Sequence, residues 1–221
     1  MNTRQQSIWA GKFGKEYTER NSFVNGNVFN FDEWNNLLHK EMGITRTSLN
    51  ELFFGNLNVD SVLEVGSNVG LQLNCFERMG YFSKICGLEV QRHAISESKK
   101  IFPNAAYDIV QGIAEEVPFK NSSFDLLVTN GVLIHISPEN LDKVLSEIHR
   151  CSKKYIFGCE YYDDNYTEIN YRGHNGLLWR GDFCSEYLSR FPDLRVVKKK
   201  TFDGVQDKST RYTAFLLEKI K

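Results

Sequence analysis

The 221-residue chain is poor in proline (4) and methionine (3), and neither sign of charge dominates it. Lys and Arg total 27 against 28 Asp and Glu. Such balance speaks against a nucleic-acid protein built on a broad basic face, while leaving small anionic partners open. No apolar run approaches the roughly 18 residues of a bilayer span, and the opening MNTRQQSIWA has no apolar core behind its basic residue. Neither a membrane protein nor a secretory leader is therefore expected. The cysteines are odd in number and widely spaced, Cys75, Cys86, Cys151, Cys159 and Cys184, with no CxxC pair. Neither a disulfide framework nor a zinc knuckle is indicated, and reduced, mostly buried thiols in a cytoplasmic protein are expected. The five histidines show no metal-ligand spacing, so no metal is expected. What the chain does have is 41% hydrophobic and 13% aromatic residues, enough for the core of one ordinary domain.

From Val59 onward, short β-type runs alternate with helical ones, the rhythm of a parallel sheet covered on both faces. The pattern predicts strands over Ser61–Val65, Lys84–Glu89, Tyr107–Gln111, Phe124–Thr129, Tyr155–Cys159, Leu194–Phe202 and Arg211–Lys219. Helices are predicted near Val69–Met79, His93–Ile101, Pro138–Cys151 and Asp182–Arg190. In the third, Ser137 is placed to cap, Pro138 suits the first turn, and Leu141, Val144, Leu145 and Ile148 repeat at helical spacing. No helix separates the last two strands, and the polar DGVQDKST between them predicts an antiparallel hairpin. The expected fold is α/β: a doubly wound, Rossmann-like, mostly parallel seven-stranded sheet with one reversed edge strand. Residues 1–58 are expected to form a helical N-terminal cap belonging to the same domain as 59–221. There Trp9, Phe13 and Tyr17 fall at i, i+4 and i+8, a packing stripe. The Lys198–Lys200 run is expected to be solvated charge on an edge strand. Ligands of such sheets bind beyond the carboxyl ends of the strands.

The most informative stretch is SVLEVGSNVG, Ser61–Gly70, an apolar strand running into a glycine turn and then a helix. Glycine there lets backbone approach a ligand closely. A dinucleotide loop would read GxGxxG. This one lacks the middle glycine and carries Glu64 beside the turn, which disfavours a pyrophosphate and favours a cationic ligand. Nicotinamide chemistry is accordingly disfavoured. Glu89, after the next strand, stands where a ribose-binding carboxylate is expected. Each acid alone reads as a surface carboxylate; with the loop, the two flank one crevice.

With the segment Gly112–Phe119 (GIAEEVPF) these residues resemble class I S-adenosylmethionine-dependent methyltransferases over roughly Val59–Lys221. The resemblance implies that Gly66, Ser67, Asn68 and Gly70 pass under the methionine half of the cofactor, whose product is S-adenosylhomocysteine. It implies that Glu89 holds the ribose and that Val90 and Ile113 sandwich the adenine, with Glu64, Gly112, Ala114 and Asn130 completing the cofactor site. Many relatives carry Asp where this chain has Ile113. A narrower resemblance rests on four blocks, Ile8–Asn21, Gly131–Ile136, Glu160–Tyr162 and Tyr171–His174, which look like the methylases associated with pseudaminic acid biosynthesis. It implies that the N-terminal cap closes over the cofactor and that Arg20 or Tyr17 meets its carboxylate.

Methyl transfer from a sulfonium is an in-line displacement, so the protein must align the reactants and, for a hydroxyl or ammonium acceptor, remove a proton. His135, after the fourth strand, is a candidate base with a reference pKa near 6.5, or else a packed histidine in an apolar run. The loop after the fifth strand offers His174 or Glu160 as alternative bases. There Arg172 could grip an acidic group, with Tyr161 and Tyr171 stacking on a sugar. The same loop also reads as one ordered by its own tyrosines. The expected reaction is methylation of an oxygen or nitrogen of a small polar acceptor, such as an acidic or nucleotide-linked sugar. Nucleic acid and membrane are not expected as partners. The alternative is a non-catalytic cofactor-binding protein of a glycan pathway.

Overall fold

The computed structural model describes residues 3–25 and 28–220. Its N-terminal part carries α1 (Arg4–Ala10), α2 (Lys12–Arg20), the two-residue strands β1 (Val24–Asn25) and β2 (Val28–Phe29), α3 (Phe31–Met42) and α4 (Arg46–Phe54). Then follow β3 (Ser61–Val65), α5 (Leu71–Met79), β4 (Lys84–Glu89), α6 (Arg92–Ile101), β5 (Asp108–Gln111), β6 (Phe124–Asn130), α7 (Pro138–Cys151) and β7 (Ser152–Tyr162). The chain closes with β8 (Thr167–Glu168), β9 (Trp179–Arg180), α8 (Phe183–Arg190), β10 (Leu194–Asp203) and β11 (Arg211–Lys219).

The main sheet has seven strands in the order β10-β11-β7-β6-β3-β4-β5. Strands β5, β4, β3, β6 and β7 run parallel, and β11 is antiparallel to both β7 and β10. The expected seven-stranded Rossmann-like architecture is therefore present, with one difference: the reversed strand is not at the edge. Strand β11 buries Thr213–Leu217 on both faces, whereas β10 buries only Leu194 and Phe202 and takes the rim. A register shift at Val196/Lys198 and the exposed lysines blunt that rim against further pairing.

Side chains alternate across the sheet with the period of two that a strand imposes. Leu63, Val65, Leu127 and Ile156 point to the face covered by α7 and α8, and Val62, Leu126, Val128 and Phe157 to the face covered by α3, α4 and α5. Residues 31–54 form one of the two helical layers, with Leu49, Phe53 and Phe54 buried against strand residues, and the same helices reach the ligand end through Trp34, Leu37 and Arg46. Helices α1 and α2 lie over the strand ends without joining that layer. Helix α7 buries the expected Leu141, Val144, Leu145 and Ile148. Ser137 precedes it without capping through its side chain, and its N–H goes instead to Gln5 Oε1 at 3.0 Å.

Candidate active site

At the carboxyl ends of β3, β4 and β6, where the winding of the sheet reverses, lies a cavity of about 270 Å³, close to the lower end of the range typical of ligand pockets. Its floor is the turn after β3. Gly66 has φ +74°, a conformation glycine adopts without strain, and a Cβ there would come within 2.6 Å of Val132 Cγ2. The Gly66 and Ser67 N–H groups donate to the Leu88 carbonyl at 2.8 and 3.0 Å, pinning the loop to β4. Gly70, also left-handed, caps α5 and lies behind the loop, outside the cavity lining.

Two buried carboxylates stand on adjacent strand ends. Glu89 accepts the N–H of Asn68 at 2.8 Å and of Gln91 at 2.9 Å; burial pushes its carboxyl upward and these bonds oppose the shift. Glu64 is 4% exposed and accepts only a 3.3 Å bond from Asn130 Nδ2 through Oε1, while Oε2 has no partner. Burial drives its pKa up to about 8, opposed by the Asn130 bond and by nearby Arg46. Asn130 Oδ1 in turn accepts from Arg46 Nη1 at 3.4 Å. The Arg46 guanidinium lies 5.4 Å from the ring centroid of Trp34, and both side chains line the cavity. At the other end Val90, Gly112, Ile113 and Ala114 form the wall.

The roof is the N-terminal pair of helices. Gln91 Nε2 donates to the Trp9 carbonyl at 3.0 Å, and the Thr18 hydroxyl donates to Asn68 Oδ1 at 2.8 Å, so α2 is fastened to the glycine loop itself. Helix α2 lies so close that a Cβ on Gly14 would come within 2.4 Å of Gln91 Nε2. Gln5 ties α1 to the far wall by donating to the His135 carbonyl at 2.7 Å. The Trp9 ring lies 4.5 Å from the His135 ring, and Tyr17 lines the cavity beside it.

His135 Nδ1 is 2.6 Å from the Leu177 carbonyl, which can only accept, so Nδ1 carries the proton and Nε2 is the basic nitrogen. Burial lowers its pKa to about 4, which leaves the ring neutral at neutral pH and less basic than the reference value near 6.5 implies.

Several residues singled out from sequence stand elsewhere. Arg20 is exposed at the end of α2, away from the cavity. Glu160 is buried below the wall, accepting the N–H of Val132 at 3.3 Å and of Ile134 at 3.5 Å; it holds the turn that carries His135, with its pKa pushed up to about 7 by burial. Tyr171 packs 5.5 Å from the His135 ring and 6.0 Å from Phe13, on the outside of the roof. Arg172 is exposed above Tyr171, and His174 is exposed against Phe13. Tyr161, near the end of β7, leans on Tyr212 of β11. Conversely, Thr18, Trp34, Arg46 and Gln72 line the cavity without having been found from sequence. Gln72, two residues past Gly70, was within reach of the loop motif; Arg46 had no motif around it. Among the described residues no group of three or more His, Cys, Asp or Glu is placed to hold a metal, and no helix is long and apolar enough to cross a membrane.

Residues 63–155 match a methyltransferase domain family. The match runs from β3 into β7 and so contains both carboxylates, the glycine loop and the His135 turn. The uncharacterised methyltransferase sll0829 of Synechocystis sp. is 36% identical over 69 residues, 31% of this chain; the aligned piece spans about a third (32%) of that protein. The PH0226 protein of Pyrococcus horikoshii superimposes with a TM-score of 0.66 at 14% identity, over 93% of this chain and 99% of that one. An S-adenosylmethionine-dependent methyltransferase of Methanosarcina mazei gives 0.59 at 12% identity, over 75% and 95%. Both structures share the fold of this chain. The family match and the sequence relative support an S-adenosylmethionine-dependent enzyme, and the unpartnered buried polar atoms of the cavity suit that cofactor.

Proposed function

We propose that the protein is an S-adenosylmethionine-dependent methyltransferase acting on an oxygen or nitrogen of a small polar acceptor, a sugar or nonulosonic acid precursor of pseudaminic type used in surface-glycan synthesis. The observation that carries the cofactor half is the pair Glu64 and Glu89 on adjacent strand ends, flanking a loop that only glycine at position 66 allows. A buried carboxylate with a free oxygen attracts a cation, and the cofactor supplies a methyl group on a positively charged sulfur. Glu89 is the residue to take the ribose hydroxyls, with Val90 and Ile113 against the base and Gly66–Asn68 beneath the sulfur. Trp9 and Tyr17 exclude water from the roof, which strengthens electrostatic contacts inside.

On the acceptor side, His135 Nε2 is unprotonated at neutral pH and is free to take the acceptor's proton as the new bond forms. Its fixed tautomer directs that nitrogen without a further rotamer choice. Tyr171 and Arg172 on the outer side of the roof, and Tyr161 beside Tyr212, are proposed to guide the acceptor toward the cavity at His135, with Glu160 orienting the His135 turn and His174 as the second candidate base. The pseudaminic assignment rests on the four sequence blocks; the first two supply the roof and the wall of the cavity, which is where an acceptor-specific family would differ from its relatives.

The test is transfer of label from methyl-labelled S-adenosylmethionine to fractionated small-molecule extracts of the source cell. Label is expected in an acidic-sugar fraction, and His135→Ala is expected to lower turnover at least tenfold. A cofactor that binds and is never consumed would contradict the catalytic reading.

A further inference from the structure

We propose that Arg46 is a specificity-determining residue: together with Glu64 it forms a receptor for a zwitterionic α-amino-acid group, with the guanidinium taking the carboxylate and Glu64 taking the ammonium. The inference rests on the methyltransferase reading, because the group in question is the methionine end of the cofactor.

Asn130 stands between an acidic and a basic side chain and bonds weakly to both, at 3.3 Å to Glu64 and 3.4 Å to Arg46. An amide spacer of this kind keeps the pair from collapsing into a direct ion pair and leaves a gap between the two side chains. Each side also retains unspent bonding capacity. Glu64 Oε2 and Arg46 Nε are buried without partners, and Gln72, only 5% exposed, has neither amide atom bonded although it lines the same cavity. Buried polar atoms are ordinarily paired, so this concentration on one wall marks a place shaped for polar groups from outside the chain. The Trp34 ring below the guanidinium restricts its plane, which suits two-pronged contact with a carboxylate. Of the other carboxylates near Arg46, Glu41 on α3 forms no ion pair with it among the described residues, and Glu89 is engaged by Asn68 and Gln91. Of the two residues to which the family resemblance gives the carboxylate, Arg20 is solvent-exposed and does not line the cavity, while Tyr17 lines it but offers a neutral hydroxyl and no positive charge.

The experiment is calorimetric binding of S-adenosylhomocysteine and of methylthioadenosine, which keeps the adenosine and sulfur but has no amino-acid end, to wild type, Arg46→Gln and Arg46→Lys. Wild type is expected to prefer S-adenosylhomocysteine. Arg46→Gln should weaken that ligand roughly 10- to 100-fold, the range of a lost charge-assisted bond, and leave methylthioadenosine within twofold. Arg46→Lys should recover part of the loss, since it keeps the charge and loses the fork. Unliganded melting temperatures report folding, and Arg46→Lys, which keeps the long stem and charge, serves alone should Arg46→Gln be unfolded: it then must still lower S-adenosylhomocysteine affinity selectively. Equal loss of both ligands, or no loss of either, overturns the assignment of Arg46. Failure of wild type to bind either ligand overturns the methyltransferase reading itself.

Discussion

A side chain at position 66 would place its Cβ against Val132 in a backbone at φ +74°, a double penalty of strain and contact. Gly66→Ala is therefore expected to fold with a stability loss of about 1–3 kcal/mol and to bind S-adenosylhomocysteine at least tenfold more weakly, read by chemical denaturation and calorimetry. Unchanged affinity would mean the loop does not underlie the ligand. Glu64 gives a pH signature. Its pKa in the folded protein, about 8, exceeds the 4.5 of an unburied glutamate, so its contribution to stability is fully present below about pH 4.5 and is lost as pH rises toward 8. A cationic ligand pulls that pKa down and releases a proton. Binding should thus tighten between pH 6 and 8, with proton release measurable by calorimetry in buffers of different ionisation enthalpy, and Glu64→Gln should abolish the release. Glu64 and Gly66 were legible in the sequence because one short motif fixes them to the end of a strand, and Glu89 because it closes the next strand. Arg46 was not, because an arginine after a capping threonine looks the same whether its helix faces solvent or a ligand.

Helix α4 makes the same point for elements. The sequence placed it in an N-terminal cap without saying which surface it meets; the structure packs Leu49, Phe53 and Phe54 on the sheet while Arg46 at its start reaches the cavity. Leu49→Ala should accordingly cost about 2–5 kcal/mol in chemical denaturation, the price of a core cavity; a loss under about 1 kcal/mol would mean α4 is a detachable cap. The long elements were legible from period and punctuation: β3, β4, β11 and α7 begin and end where the pattern places them. The pairs β1–β2 and β8–β9, two residues per strand, are too short to show a period and were not. Strand β7 runs beyond Tyr155–Cys159 at both ends because β11 and β6 pair with its flanks, a tertiary cause invisible locally. The reversed strand was identified as a hairpin partner correctly, but its interior place follows from β7 and β10 both needing it.

Over the whole molecule, the near-neutral charge of -1 hides a local concentration: Glu64, Glu89 and Arg46 share one cavity at the point where the sheet reverses its winding. A parallel sheet leaves its strand ends facing one direction, and two helices close that end, α2 fastened to the glycine loop through Thr18 and α1 to the turn after β4 through Gln91. The most direct measurement of the central claim is thermal unfolding of wild type and Glu89→Ala with S-adenosylhomocysteine, using NADH as control. At about 100 times the dissociation constant, binding should add about 2.7 kcal/mol and raise the wild-type midpoint by roughly 5–11 °C, with no shift from NADH and little in the variant. An absent shift in folded, ligand-free protein, or an equal one with NADH, would contradict the assignment of this cavity to S-adenosylmethionine.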